Sequence, residues 1–306
     1  MRVAVVGVVG RLGRALVAAL EEAPFTGMRP PIGWDQPELE LDSVTAASFG
    51  ELLDRERPEV VIHTAAWTDV DGNARDPELA MRRNGIAVGE IARACATRGT
   101  DLVIISTNEV FDGRRTDGHP YSPHDERHPI NAYGAAKAAA EQLAEEAYAG
   151  STGRLAIART AWLFGPPGND FPAKIAAAAL RAKASGDRLR VTADEIGTPT
   201  YTPDLAEAIV ELIGSDDPPA PGSITIHHLV NGGRASRADW AREVLRRLAI
   251  DVEVEDVPAS TWQRASTPPL WAVLAPTPLP SGTPMRDWRD AFGDALPALR
   301  RDLAAG

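Results

Sequence analysis

The sequence has very little cysteine and no long apolar run. Cys95 is the one cysteine among 306 residues, so no disulfide can form within the chain, and we expect a small buried thiol in a reducing compartment. No stretch is long and apolar enough to be a membrane span, and the first residues lack the pattern of a secretion signal. We therefore expect a cytoplasmic protein with no membrane partner.

Positive charge is also scarce. The chain carries 32 lysine and arginine residues against 43 aspartate and glutamate residues, a formal net charge of -11. Nucleic acids and anionic membranes are bound through clustered cations, so this balance argues against such partners. A local basic pocket for one small anion stays compatible with it.

What the sequence does contain is an alternation of apolar strands with alanine-rich helices. Strands are predicted at residues 3–6, 60–63, 102–106, 155–159 and 223–229, and helices at 11–22, 48–57, 79–98, 133–148, 171–185 and 203–213. Parallel strands need long, usually helical, connections. The predicted fold class is α/β, a doubly wound parallel sheet of the Rossmann type with a smaller C-terminal substrate lobe. We expect residues 1–164 to form the NAD(P)-binding domain, with returning segments near 200–230, and residues 165–306 to form mainly the substrate-binding lobe.

Three glycines, Gly7, Gly10 and Gly13, lie between the first strand and the first helix. Glycine permits a tight turn and a close approach of the backbone to a pyrophosphate, which the N–H groups and dipole of the helix then bind. A glycine set alone is also found in purely structural turns. Its position in the first βα unit favours a dinucleotide site, with Arg11 and Leu12 on the turn.

Asp35 lies where a second strand should end. A carboxylate there can accept hydrogen bonds from the adenosine ribose and would repel a 2′-phosphate, which favours NAD over NADP. Arg11 and Arg29 are close in sequence and could offset that repulsion, and a solvated loop aspartate is the alternative. Both NADPH and NADH therefore stay open as cofactors.

Tyr133 and Lys137 are spaced to share one face of a helix. Reduction of a carbonyl needs a proton for the developing alkoxide, and a nearby ammonium makes a phenol a better donor by favouring its phenolate. Upstream, Ser106 and Thr107 close a predicted strand, so their hydroxyls should project at the carboxyl edge of the sheet, where open α/β folds bind ligands. The order of glycine turn, Ser-Thr strand end and tyrosine–lysine pair indicates a short-chain dehydrogenase/reductase.

A series of motifs in order resembles the dTDP-4-dehydrorhamnose reductase family, among the extended short-chain dehydrogenase/reductases. The motifs are RPEVVIHTAAWTDVD (57–71), STNEVFDG (106–113), PINAYGAAK (129–137), RTAW (159–162), DEIGTPT (194–200) and TPMRDW (283–288). The resemblance covers nearly the whole chain. It implies NADPH- or NADH-dependent reduction of the 4-keto group of a dTDP-4-keto-6-deoxy sugar, the final step to dTDP-L-rhamnose.

The resemblance also implies roles for individual positions. The catalytic set is Thr107, Tyr133 and Lys137; the cofactor-binding set is Gly7, Gly10, Arg11, Leu12, Gly13, Asp35, Ala65, Ala66, Trp67, Tyr133 and Lys137; the substrate-binding set is Thr107, Asn108 and Trp162. For Trp162, packing within the core or the lobe is the alternative. The expected partner is a nucleotide-diphosphate sugar, and a homodimer is the assembly considered.

Two departures from the family pattern concern the sugar. Asn108 and Glu109 stand where the family usually has Asp-Tyr, so a carboxylate replaces an aromatic donor. Residues 268–274 read PPLWAVL, where the family tends to show RPxxSxL, and the arginine expected to contact the substrate diphosphate is missing. A related 4-ketoreductase for another deoxysugar is therefore a second hypothesis.

Functions other than a reductase are also compatible with the sequence. Glu109 keeps a nucleotide-sugar epimerase or dehydratase open, and a non-catalytic NADP-binding regulatory subunit is the alternative from another class. His119, His124 and His128 share one loop, but their spacing does not match a metal site, and no metal ligand is predicted.

Overall fold

The computed structural model describes residues 1–305, so Gly306, the last residue of the predicted lobe, lies outside the described residues. The strands are β1 (Val3–Val6), β2 (Ile32–Trp34), β3 (Val60–His63), β4 (Asp101–Thr107), β5 (Leu155–Thr160), β6 (Leu163–Phe164), β7 (Leu189–Thr192), β8 (Ile196–Gly197), β9 (Thr200–Tyr201), β10 (Ile224–His228), β11 (Ala235–Ser236), β12 (Val254–Val257) and β13 (Trp271–Ala272). The α-helices are α1 (Arg11–Glu22), α2 (Ala46–Glu56), α3 (Val70–Arg75), α4 (Pro77–Met81), α5 (Ala87–Thr97), α6 (Ala132–Tyr148), α7 (Phe171–Ser185), α8 (Thr202–Ile213), α9 (Arg237–Leu248) and α10 (Trp288–Ala305).

Six strands form one parallel sheet in the order β10-β5-β4-β3-β1-β2. Every residue of β1 and β3 is buried, because helices cover both faces and leave valine and isoleucine no solvent side. The chain runs outward from β1 to β2 and then returns to the other side of β1. This reversal opens a crevice at the carboxyl ends of the strands. The predicted doubly wound α/β fold is confirmed.

The hydrophobic core is divided into clusters, with one on each face of the central sheet and another outside the sheet. One face packs against α2, α5 and α6, and the other against α1 and α8. A third cluster lies between α7, α9 and α10 and is built around Phe164, Trp240, Trp288 and Phe292. Helices α7, α9 and α10 thus build a core of their own.

The helix predicted over residues 79–98 is interrupted. The chain instead forms α4, a π-helical turn at Arg82–Ile86 and then α5. Inside the turn the buried Asn84 side chain accepts a hydrogen bond from the Trp67 backbone N–H at 2.8 Å and donates to the Trp67 carbonyl at 2.9 Å. Widening the helix by one residue lets Asn84 reach that loop, which apolar periodicity does not reveal.

The C-terminal part is more regular than its sequence indicates. Helices α9 and α10 were not predicted, and the segment at residues 258–284, which is rich in proline and tryptophan, contributes β13 to a small sheet with β8 and β11. Two further pairs are β6 with β9, of two residues each, and β7 with β12, of four residues each. Strands of two residues are too brief to give an alternating pattern.

Cys95 is fully buried, as expected. Within residues 1–305, no helix combines the length and the apolar character needed to cross a membrane.

Gly13 supplies a test of the close packing between α1 and the first turn. A Cβ built there would lie 2.0 Å from the carbonyl oxygen of Gly7. Alanine inside a helix normally adds about 0.5–1 kcal/mol of stability over glycine. We expect Gly13→Ala to lower the free energy of unfolding instead, measured by urea denaturation.

The matched control is Gly293→Ala in α10, where the nearest atom to an added Cβ is a flexible arginine nitrogen at 3.8 Å. This variant should gain about 0.5–1 kcal/mol. If both substitutions stabilised the protein equally, the packing argument for Gly13 would be wrong.

Candidate active site

A cavity of about 790 Å³ opens at the carboxyl edge of the sheet, between the two parts of the chain. It brings together all but one of the predicted site residues. Those lining it are Gly7, Gly10, Arg11, Leu12, Asp35, Ala65, Ala66, Trp67, Thr107, Asn108, Tyr133, Lys137 and Trp162. Gly13 does not line the cavity, and its observed contact is the close packing of α1 against Gly7.

The N-terminus of α1 is suited to an anion. Its N-cap, Gly10, provides no side-chain hydrogen bond, and the first turn contains no acidic residue, whereas α2 and α9 both begin with a capping box. Uncapped N–H groups at a helix start bind phosphate well. Gly7 has a φ of 88° and lies so near the Ala65 backbone that a Cβ would come within 2.8 Å of its nitrogen. The turn therefore fits a dinucleotide pyrophosphate.

Arg11 connects this turn to the second part of the chain. Its guanidinium donates to the Gly165 carbonyl, to Asn169 at 2.6 Å and to Asp170 at 3.1 Å. Asp170 is in turn the N-cap of α7. Arg11 is thus neutralised by a nearby carboxylate, although it borders the cavity.

The end of the cavity next to β2 is acidic. Asp35, Glu40 and Asp42 line it. Asp35 accepts hydrogen bonds from the backbone N–H groups of Val9 at 3.1 Å and Gln36 at 2.9 Å, which fix its carboxylate beside the glycine turn. Arg83 lines the same end but is bound by Asp42 through two hydrogen bonds of 2.5 and 2.7 Å.

The loop from Ala65 to Trp67 is held by two buried asparagines. Besides the two bonds to Asn84, the Trp67 carbonyl accepts a hydrogen bond from Asn73 at 3.1 Å, and Asn84 donates to Asn73 at 2.9 Å. Both asparagines are fully buried. Satisfied polar networks of this kind fix backbone position, so the floor of the cavity is rigid.

Thr107 ends β4, and Tyr133 and Lys137 lie in the first turns of α6. Asn131 caps the helix by accepting from the Gly134 N–H at 2.8 Å. Gly134 packs so tightly against the strand end that a Cβ would lie 2.1 Å from the Glu109 carbonyl oxygen. The missing side chain lets α6 approach β4 and places Tyr133 beside Thr107.

The charges around Tyr133 differ from the sequence-based expectation that Lys137 favours its phenolate. Burial and the Glu109 carboxylate raise the pKa of Tyr133, and the Thr107 hydroxyl opposes them only in part. Burial lowers the pKa of Lys137 to about 8, although Glu141 acts to raise it. Desolvation is the largest cause of both shifts. Tyr133 is therefore a neutral phenol at pH 7, able to donate a proton.

Beneath these residues lies a buried ion-pair network that sequence reasoning missed. Glu141, one turn after Lys137 on α6, binds Arg159 of β5 through bonds of 2.9 and 2.6 Å and accepts from Ser106 of β4. Arg127 adds a bond of 3.2 Å. The network fastens α6 to the two strands that end at the site.

Glu109 lines the cavity and has a hydrogen-bond partner. It accepts a hydrogen bond from Asn131 at 2.7 Å. Burial raises its pKa, the Asn131 bond and Arg237 lower it, and Glu195 raises it. Asn131 and Arg237, a cation from far along the chain, thus offset the burial of this carboxylate in part.

Arg237 is the cavity residue that sequence reasoning missed most completely. It opens α9, and its guanidinium lies over the Trp162 ring, 3.5 Å from the centroid. Trp162 itself has a φ of 45°, an unusual value for a bulky residue, which turns its ring toward α9. No motif in the sequence links these two positions.

The histidines form no metal site in the described part of the chain. His119, His124 and His128 are exposed on their loop, and residues 1–305 contain no group of three or more His, Cys, Asp or Glu side chains that could hold a metal ion. His63 is buried at the end of β3, where desolvation and the nearby Lys137 lower its pKa to about 3.

Comparison with known proteins agrees with this geometry. The family described as RmlD substrate binding domain matches residues 1–301. The chain belongs to this family. The resemblance to the dTDP-4-dehydrorhamnose reductase family is thereby confirmed.

Named relatives of this reductase family match over most of the chain. A dTDP-4-dehydrorhamnose reductase of Mycolicibacterium smegmatis is 37% identical, over 79% of this chain and 71% of the relative. A dTDP-4-keto-6-deoxy-D-glucose reductase of Streptomyces niveus is 33% identical over 97% of both chains. The crystal structure of a Bacillus anthracis dTDP-4-dehydrorhamnose reductase in complex with NADP is 28% identical, with a TM-score of 0.82 over 96% of this chain and 98% of the other.

Lys137 should show a cost in stability. Because burial lowers its pKa from 10.5 to about 8, its charged form destabilises the folded state at neutral pH. We expect Lys137→Met to raise the free energy of unfolding at pH 7 by about 3 kcal/mol. From pH 8 toward 10.5 the folded wild type loses the proton before the unfolded chain does, so wild-type stability recovers and the difference shrinks.

Urea denaturation between pH 6 and 10 would measure this, with the exposed Lys183→Met on α7 as the control. A stabilisation by Lys137→Met that is the same at every pH would contradict the assigned cause.

Asp35 should influence the choice of cofactor. Removing its charge beside the acidic end of the cavity reduces repulsion of a 2′-phosphate. We expect Asp35→Ala to raise the ratio of kcat/KM for NADPH to that for NADH about tenfold, the effect of about 1.4 kcal/mol. Glu38→Ala, an exposed charge that does not line the cavity, is the control and should leave the ratio unchanged.

Proposed function

We propose that this protein reduces the 4-keto group of a dTDP-4-keto-6-deoxy sugar with NADPH or NADH, and that it acts as a dTDP-4-dehydrorhamnose reductase in the formation of dTDP-L-rhamnose. The observation that carries the proposal is the convergence of Thr107, Tyr133 and Lys137 in one cavity with the uncapped glycine turn. The names of the relatives and the NADP in the Bacillus anthracis structure support it.

The residues divide the chemistry between them. The reduced cofactor, when bound, supplies a hydride to the carbonyl carbon. Tyr133 holds the proton that the carbonyl oxygen takes up, so its O–H bond breaks as the new hydroxyl forms. Thr107 donates a hydrogen bond that polarises the carbonyl, and the Lys137 ammonium stabilises the phenolate that remains.

The cofactor would lie along the glycine turn and the Ala65–Trp67 loop, with its adenosine toward Asp35. The sugar would lie between Thr107, Asn108 and Trp162. We further propose that residues 165–305 form mainly the substrate-binding lobe, since Lys174 and Arg237 border the cavity from that side. A nucleotide sugar is accordingly the proposed partner.

The decisive experiment follows cofactor oxidation with dTDP-4-keto-6-deoxy sugars of different stereochemistry, with NADH and NADPH in parallel. Formation of the 4-hydroxy product supports the proposal and identifies the sugar. No oxidation of either cofactor with any of these sugars would refute it.

Glu109 favours one second candidate, a dehydratase or epimerase, because a cavity carboxylate could remove a proton from a sugar carbon. Such enzymes regenerate their cofactor during each turnover. A purified protein that retains tightly bound NAD and converts nucleotide sugars without net oxidation of NADH would favour this candidate.

Tyr133→Phe tests the proton donor. Removing the phenolic hydroxyl while keeping the ring should lower kcat about 10²–10⁴-fold, because general acid catalysis contributes that range. Binding of NADPH, measured by fluorescence titration, should change little. Near-normal turnover by Tyr133→Phe would show that another group supplies the proton.

A further inference from the structure

Arg237 lies in a box of aromatic rings on the substrate side of the cavity. Its guanidinium carbon is 3.5 Å from the ring centroid of Trp162, 5.2 Å from that of Phe171 and 6.0 Å from that of Trp240. Trp162 and Trp240 are parallel within 7°, and Phe171 stacks on Trp240 at 4.5 Å. Stacking of this kind fixes the plane of a guanidinium and leaves its N–H edge available.

Arg237 has two carboxylates, Glu195 and Glu109, and a second arginine, Arg264, near it. Glu195 is buried, and its carboxylate contacts two arginines, Arg264 at 2.8 Å and Arg237 at 3.6 Å. The longer distance exceeds that of a hydrogen bond. Burial lowers the pKa of Arg237 to about 10, and Arg264 lowers it further while Glu195 raises it. Arg237 is therefore a cation at neutral pH. It shares the Glu195 carboxylate with Arg264, while the Glu109 carboxylate accepts a hydrogen bond from Asn131.

The other cations that line the cavity within residues 1–305 have different surroundings. Arg11 is paired with Asp170 and Arg83 with Asp42, and Lys137 lies in the catalytic set. Lys174 is exposed on α7. Arg237 is partly buried, the plane of its guanidinium is fixed by stacking on Trp162, and its contact with Glu195 is longer than a hydrogen bond.

We propose that Arg237 binds the diphosphate of the nucleotide sugar, which rests on the proposed function. The diphosphate is the charged part of a dTDP-deoxysugar, and a planar guanidinium can donate two hydrogen bonds to one phosphate. Arg237 then binds the diphosphate in place of the arginine that the family pattern has near residues 268–270 and that this chain lacks. Glu195 and Arg264 are positioning residues, because they hold the guanidinium over Trp162 without lining the cavity.

Isothermal titration with dTDP measures this site without turnover. Arg237→Met should weaken dTDP binding about 30-fold, since a hydrogen-bonded charge contributes about 2 kcal/mol. The KM for the keto sugar should rise in parallel, with NADPH affinity and kcat changing far less. Arg242→Met, on the outer side of α9 and paired with Asp256, should behave as wild type.

Arg237→Lys provides a second, milder variant in case the methionine variant does not fold. It keeps the charge but loses the planar fork, and we expect dTDP binding about fivefold weaker than in the wild type. Wild-type affinity for dTDP in either folded variant would overturn the assignment of Arg237.

The outcomes separate this inference from the proposed function. If no 4-keto sugar supports cofactor oxidation but dTDP binding still depends on Arg237, the reductase proposal fails and the diphosphate site stands. If the keto sugar is reduced and its KM is unaffected by Arg237→Met, the reductase stands and the diphosphate site fails.

Discussion

The carboxylate of Glu141 holds the reacting end of the molecule together. It is fully buried and receives four hydrogen bonds, from Ser106, twice from Arg159 and from Arg127. A charge removed from water in this way costs several kcal/mol unless it is paired on all sides, so loss of one partner would penalise the rest. Ser106 precedes Thr107 on β4, and Glu141 follows Lys137 on α6. The distance between the hydroxyl of one element and the phenol of the other therefore depends on this single anion.

The sequence predicts the central fold well because the long elements repeat a simple pattern. The residues of β1 and β3 are buried on both faces, and α1 and α7 begin and end where the periodicity places them. The prediction fails where side chains from elsewhere decide the backbone. The π-helical turn exists because Asn84 binds the Trp67 loop, and the two-residue strands of the C-terminal part exist because neighbouring segments happen to pair.

The same distinction between local patterns and contacts from distant segments applies to the candidate site. Residues carried by local motifs, such as Gly7 and Gly10 of the turn after β1 and the pair at the start of α6, line one cavity. The pKa of Tyr133 moves opposite to expectation, because helix spacing predicts which groups are neighbours but not how much water they lose. Arg237 and Trp162 are far apart in the sequence and come into contact only in the folded chain. Their contact depends on a left-handed backbone conformation at Trp162, which the residue type does not predict.

The position of β10 has a consequence for how the chain reaches this structure. This strand closes the edge of the sheet beside β5, yet in the sequence it follows α7 and α8, so the chain leaves the sheet after β5, forms these two helices and then returns. Contacts between segments so far apart in sequence slow folding, because a large loop must be closed before they form. During synthesis the edge of β5 stays unpaired until residues 224–228 have emerged. A nascent chain cut short before that point exposes a parallel strand edge, which makes it a substrate for chaperones and a hazard for aggregation.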